Sequence, residues 1–338
     1  MNTIQLFVGL DYHQSGVQVC VMDQSGTVLF NRGVANSWKD IALQVERFGQ
    51  PMRTAIESCS GAADLADELV NKAGWSVDLA HPGYVSRMKQ SPDKTDFSDA
   101  RMLADLTRVG YLPRVWLAPV EVREMRLLVR YRQQLVNQRR HAKLRIGAIL
   151  REQRIGVGPA GRWSLPWLMW VKTNDDLSTQ GRWVIGRHLL EMARLDGEIR
   201  AVEEQLSLMC KEDSLVQRLL GFKGVGYVTA WVMRAEIGRF DRFATGKQLS
   251  RFCGLSPRNA SSGTRQADAG LIMAANKQLR ATLIELAHRV SRYDTRWNEM
   301  SCKMKDRGKP ASLVAAAVAN RWTRHLYNQL IVKPGKAA

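Results

Sequence analysis

A chain of 338 residues, 45% of them hydrophobic and 24% charged, is too rich in core-forming side chains for a disordered tail and long enough for two or three domains. Its formal charge of +18 calls for a polyanionic partner, because phosphates relieve the repulsion among Lys and Arg and shed condensed counterions in doing so. Five cysteines (Cys20, Cys59, Cys210, Cys253 and Cys302) lack Cys-x-x-Cys spacing or a nearby His, so neither a zinc site nor a disulfide framework is indicated.

No basic-plus-apolar leader opens the sequence, and no apolar run reaches the ~18–20 residues that cross a bilayer, so a soluble, cytoplasmic protein is expected. The charge is unevenly placed: residues 1–118 carry 11 Lys and Arg against 13 Asp and Glu, leaving +20 for the rest. The first part is therefore suited to holding cations and the remainder to holding phosphates.

Alternating apolar residues over 4–10, 17–22 and 27–30, separated by Gln14-Ser15-Gly16 and Asp23-Gln24-Ser25-Gly26, predict a meander of three antiparallel strands. Ser37 is a candidate N-cap for an amphipathic helix over 38–48, and residues 53–56 return as a buried strand that ends at Glu57. A helix over 61–73, a strand over 76–80 and a helix over 96–109 complete the order βββαβαβα, the α/β arrangement of ribonuclease-H-like domains.

That order gathers acids. Asp11 ends the central first strand and Glu57 the neighbouring fourth, where open sheets present ligand-binding side chains. Asp96 and Asp99 share one helix face. Singly, each acid has an ordinary role: Asp11 as a turn cap, Glu57 as a helix opener, Asp96 as an N-cap after Thr95. Jointly, four converging carboxylates repel unless a cation neutralises them, and their hard oxygens suit Mg²⁺ or Mn²⁺. Two such ions clamp the attacking and leaving oxygens of a phosphodiester. Asp93 and Asp105 lie off this face and read as solvated.

Gly9-Leu10-Asp11, Ile56-Glu57-Ser58 and above all the stretch Asp93-Lys94-Thr95-Asp96-Phe97-Ser98-Asp99-Ala100-Arg101 resemble the DEDD motifs of the insertion-sequence "one-ten" family of transposases. The resemblance implies a RuvC-like nuclease fold for residues 1–118. The family also includes site-specific DNA invertases and transposases guided by a bridging RNA.

Residues 119–210 follow as a long helical, coiled-coil-like segment for dimerisation and nucleic-acid binding. Val122, Met125, Leu128, Val129, Leu135, Val136, Leu144, Ile146 and Ile149 space a helix over 119–153 that is dense in Arg. Arg130, Arg139, Arg140 and Lys143 are its candidate nucleic-acid contacts, although a charge run is also commonly a solvated face. After a Gly- and Pro-marked break over 156–166, Leu189, Leu190, Leu195, Ile199, Val202 and Leu206 mark a second helix over 182–209. Trp163, Trp167 and Trp170 are open to base stacking, with packing between helices as the competing role.

Residues 211–338 predict a mainly helical domain. Gly221-Phe222-Lys223-Gly224-Val225-Gly226 before an apolar helix resembles a helix-hairpin-helix, with Lys223 a candidate phosphate contact; the same glycines also make plain tight turns. Gly254-Leu255-Ser256-Pro257 followed by Ser262-Gly263 resembles the second signature of the family, which implies that Ser262 is the nucleophile. Arg258 and Arg265 flank that loop as candidate phosphate donors. Downstream the match departs from the family pattern, with Ala274 and Ala275 ahead of Leu279-Arg280, and Lys277 takes no role. Helices over 278–292 and 311–330 close the core, and Lys303, Lys305, Arg307 and Lys309 are phosphate contacts or a solvated loop.

The resemblance, spanning nearly the whole chain, implies a nucleoid-associated bacterial or archaeal recombinase. It would cut and rejoin double-stranded DNA through a covalent phosphoserine, with metal on Asp11, Glu57, Asp96 and Asp99. It also implies a guide RNA and a dimer or tetramer that pairs the acidic domain of one subunit with the serine domain of another. A metal-dependent nuclease of the Holliday-junction type, needing no Ser262, is the alternative. An ATP phosphotransferase of the actin and hexokinase type expects a second Gly-rich phosphate hairpin that the sequence lacks, and a non-catalytic nucleic-acid-binding protein stays open.

Overall fold

The computed structural model describes residues 5–88, 95–259 and 268–331. Contacts divide the chain into two units, Met1–Pro119 and Val120–Ala338. The first is α/β and the second mainly helical.

The first unit opens with the meander β1 (Leu6–His13), β2 (Gly16–Asp23) and β3 (Val28–Val34). Helix α1 (Trp38–Val45), strand β4 (Pro51–Glu57), helix α2 (Ala62–Ala73) and strand β5 (Val77–Ala80) follow. Then come α3 (Pro82–Met88), α4 (Asp96–Arg108) and the two-residue β6 (Arg114–Val115). The six strands form one mixed sheet in the order β3-β2-β1-β4-β5-β6. Strands β1, β4 and β5 run parallel, while β2, β3 and β6 are antiparallel to their neighbours.

Strand period explains the layers. Leu6, Val8 and Leu10, together with Val17, Val19 and Val21, point to one side, where Ile41 and Val45 of α1 and Leu65 and Leu69 of α2 cover them. Residues of opposite parity, Cys20 and Met22, face Ala100 and Ala104 of α4. Gly9 belongs to this second face. A Cβ there would collide with the Ala100 carbonyl and the Ala104 amide, so glycine is what lets α4 lie directly on β1.

Two elements go beyond the expected order. Helix α3 starts on Pro82 itself, a residue whose missing N–H is harmless in a first helical turn. Strand β6 is too short to show a period, and its Arg114 reaches Asp78 of β5, which also pairs with Arg53 of β4 at 3.0 Å.

The second unit begins with α5 (Val120–Glu152), α6 (Leu165–Thr173) and α7 (Thr179–Met209). Helices α5 and α7 pack antiparallel, as the ion pairs Arg132–Glu203 and Arg139–Asp196 show: moving up one helix moves down the other. Leu144 and Leu190 do not join the shared stripe and are exposed. Helix α6 begins in the last two residues of the expected break and continues through sequence with no expected element; Pro166 sits in its first turn, and Ser164 caps it by accepting from the Trp167 amide. Trp163, Trp167 and Trp170 pack with Ile146, Val171 and Ile185 in a small core, so packing rather than stacking accounts for Trp167.

The remainder comprises α8 (Ser214–Leu220), α9 (Tyr227–Ile237), α10 (Gly246–Phe252), the hairpin β7 (Pro257–Asn259) and β8 (Asp268–Leu271), α11 (Lys277–Tyr293), α12 (Thr295–Asp306) and α13 (Ala311–Leu330). They share one core with α5 and α7 that includes Leu206, Trp231, Met233, Leu286 and Trp322. Lys303 and Lys305, read from sequence as part of a tail, are in the last turn of α12. Among the described residues, no helix is long and apolar enough to cross a membrane.

Candidate metal centre and nucleic-acid surfaces

The acids come together because strand and helix ends meet. Asp11 follows Gly9 on the α4 face of β1. Helix α4 starts directly above it through a capping box: the Ser98 amide donates to Thr95 Oγ1 at 3.2 Å, and the Thr95 amide donates to Ser98 Oγ at 3.4 Å. Thr95, rather than Asp96, is thus the N-cap, and Asp96 and Asp99 occupy the first turn, where the positive end of the helix dipole favours carboxylates. Asp99 is buried at 5% exposure, whereas Asp96 stands at the rim.

Glu57 ends β4 immediately after Ile56, the register partner of Leu10, so Glu57 and Asp11 leave adjacent parallel strands at the same end. The charges of Glu57 and Asp11 both bear on Cys59, whose thiol is raised first by burial and then by these carboxylates.

Among the described residues, Asp11, His13 and Asp96 form a tight group whose ligand atoms lie within 4.8 Å of one another. His13 Nε2 stands 3.4 Å from Asp11 Oδ2 and 3.3 Å from Asp96 Oδ1, so the imidazole joins the two carboxylates. Burial raises the Asp11 carboxyl above its ordinary range; His13 opposes this, while Asp99 and Asp96 add to it. Ionised Asp11 is therefore held at a cost that a cation offsets. This oxygen-rich, partly buried donor set fits a hard divalent ion. Asp99 and Glu57 flank the group without belonging to its tightest part.

Sequence reading missed His13, although the two-residue period puts it on the same side of β1 as Asp11. It also missed a brace from sheet to helix. Gln18, the register partner of Asp11, donates to Asn31 Oδ1 at 2.7 Å, and Asn31 donates to the Phe97 carbonyl at 3.0 Å.

The cations expected to hold nucleic acid differ in their surroundings. Arg130 donates to both oxygens of Glu236 at 2.9 Å, Glu236 being only 4% exposed. Arg139 pairs with Asp196, and Lys143 lies 5.0 Å from the centre of the Trp163 ring. Arg140, Lys223 and Arg258 are exposed. Lys223 is carried by the turn between α8 and α9, where Gly224 adopts φ +84° and packs on Val290 of α11. Ser262 and Arg265 lie outside the described residues.

Comparison with known proteins places this geometry. A DEDD-type profile of IS110 elements, described as "Transposase", matches residues 8–154, which contain Asp11, Glu57, Asp96 and Asp99. A second, described as "Transposase IS116/IS110/IS902 family", matches residues 216–301. The chain belongs to the IS110/IS116/IS902 transposase family. Similar proteins include the transposase for insertion sequence element IS1111A of Coxiella burnetii, 26% identical over 320 residues, 93% of this chain and 86% of the relative. The transposase for IS1328 of Yersinia enterocolitica is 25% identical over 283 residues, 83% of this chain and 82% of its own length. A probable family 20 transposase of Pseudomonas aeruginosa is 27% identical over 331 residues, 95% of each chain. The two family segments of this transposase meet the acids in the first unit and the α8–α12 region in the second.

Proposed function

We propose that the chain is a DNA strand-transfer enzyme of its insertion sequence that cuts and rejoins double-stranded DNA through a covalent bond to Ser262. The observation that carries the reading is the convergence of Asp11 and Asp96 on one point, with Asp99 and Glu57 beside it, in a family member. Residues 1–118 act as a ribonuclease-H-like acid domain, which the strand order supports; 119–210 serve as the helical contact segment and 211–338 as the serine domain.

Asp11, Glu57, Asp96 and Asp99 would hold Mg²⁺ or Mn²⁺, which when bound neutralises charge on phosphodiester oxygens. In the reaction itself, Ser262 Oγ bonds to phosphorus as a deoxyribose oxygen leaves with the proton. A second strand's hydroxyl then displaces the serine, and the ester energy is conserved without ATP. Arg140, Lys223, Arg258 and Arg265 bind the nucleic-acid backbone, with Arg130, Arg139 and Lys143 contributing beyond their internal contacts. A guide RNA follows from the resemblance to RNA-guided family members. The exposed Leu144 and Leu190 support a homo-oligomer.

The test is adduct trapping on nicked DNA carrying the element ends. A covalent protein–DNA species that disappears in Ser262→Ala supports strand transfer. Full metal-dependent cleavage by Ser262→Ala sinks it and favours a structure-selective nuclease acting through the acids alone.

A further inference from the structure

Beside the β7–β8 hairpin lies a cavity of about 640 Å³, walled by Leu255, Pro257, Leu271, Leu313, Ala316 and Ala317. Its size is that of a small-ligand site. Arg321 and Arg324 stand at its edge and continue into two grooves of about 400 and 310 Å³ between α12 and α13. Arg321 lines all three spaces and Arg324 two of them.

The grooves carry an excess of cations. Arg296, Lys303, Arg307, Arg321 and Arg324 line them, against one carboxylate, Glu299, which is 3.9 Å from Lys303. The side chains of Arg307, Arg321 and Arg324 make no hydrogen bond or ion pair among the described residues. Arg296 is held in place by His325 Nδ1 at 3.2 Å and by the Trp297 ring at 4.9 Å. Clustering these cations costs self-repulsion that a polyanion relieves.

We propose that this cavity and the α12–α13 grooves bind a single-stranded segment of DNA, its backbone on the arginines and one unpaired base in the apolar cavity. A duplex has phosphates but keeps its base faces stacked inside, so it has nothing to place against Leu313 and Ala317; a single strand offers both parts. Asn320 donates its amide to Ser250 Oγ at 2.8 Å and to the Leu255 carbonyl at 3.0 Å, so it has no N–H left for a ribose 2′-hydroxyl, and DNA is chosen over RNA because the chain is read as acting on DNA. The proposal rests on the reading of the chain as an enzyme acting on DNA.

Binding of a fluorescent mixed-sequence oligonucleotide to the full chain, as single-stranded DNA, duplex DNA and single-stranded RNA across a salt series, tests it. Arg307→Gln with Arg321→Gln, both at exposed positions, should weaken single-strand binding about tenfold and lower the log–log salt slope by about 1.4, roughly 0.7 per phosphate lost. Duplex affinity should hold within about twofold. Filling the cavity with Ala317→Trp should weaken the single strand without changing the slope. Unchanged single-strand affinity and slope in the double arginine variant overturns the site, as does RNA bound about tenfold more tightly than DNA. Wild-type protein that binds neither form of DNA instead removes the underlying DNA reading.

Discussion

Gly9 of β1 and Ala100 of α4 touch backbone to backbone: the space a Cβ on Gly9 would need is taken by the Ala100 carbonyl. Because α4 carries Asp99 immediately before Ala100 and Asp96 one turn before it, this contact sets how near they come to Asp11. Gly9→Ala should cost about 3 kcal/mol in urea unfolding, since backbone rather than a flexible side chain must move. It should also abolish strand cleavage. Wild-type cleavage by Gly9→Ala would show that the close approach does not position the acids.

Divalent ions should stabilise the protein through the same acids. At about 100 times its dissociation constant, Mg²⁺ or Mn²⁺ should add about 2.7 kcal/mol to unfolding, read as a rise in melting temperature. Asp11→Asn should remove most of that rise while melting slightly higher than wild type in chelator, because burial makes ionised Asp11 unfavourable. An ion-dependent rise that survives Asp11→Asn places the ion elsewhere.

Cys59 is a built-in reporter of that ion. Burial first, then Glu57 and Asp11, hold its thiol above the ordinary range. Neutralising the carboxylates should lower it and speed alkylation of Cys59 severalfold at pH 8, with saturation in Mg²⁺. Exposed Cys302, on α12, supplies the internal reference. Equal acceleration of both thiols would deny a site near Glu57.

Much of this site was readable because acids, strand ends and a capped helix are local signals: Thr95, Asp96 and Asp99 define the start of α4 by spacing alone. His13 was equally local but lacks a negative charge, so a search for carboxylates passes over it. Helix α6 was hidden by Pro166, which reads as a breaker yet is favourable in a first turn, and α12 by Ser301, a buried polar residue that blurs its apolar stripe. The fate of Arg130 was not readable at all, because its partner Glu236 is 106 residues away.

That pair gives a clean separation of roles. Arg130→Ala removes the bidentate partner of the buried Glu236, leaving the charge of neighbouring Arg126, and should cost about 2–3 kcal/mol of stability. Arg140→Ala, at an exposed position, should change stability by less than about 0.5 kcal/mol yet reduce DNA affinity and its salt slope. Reversed outcomes would exchange the structural and binding roles of the two arginines.

His325 should set an acid limit on stability. Burial, then Arg296, holds its imidazole below the ordinary 6.5, with Asp294 opposing. A depressed imidazole means that the unfolded chain takes the proton first, so stability is intact above 6.5 and declines as pH falls through it. His325→Asn should flatten the stability curve between about pH 5 and 7 in urea unfolding. A curve as steep as wild type would assign the acid sensitivity to other groups.

The antiparallel pairing of α5 with α7 makes a strut. With 33 residues in α5, it spans roughly 50 Å at 1.5 Å per residue. Along a duplex, that is about 15 base pairs. If α5 lies along DNA, as its proposed nucleic-acid contacts require, cations at its two ends fall near phosphates about one and a half helical turns apart, and the strut then acts as a ruler of the spacing between sites rather than of the bases between them.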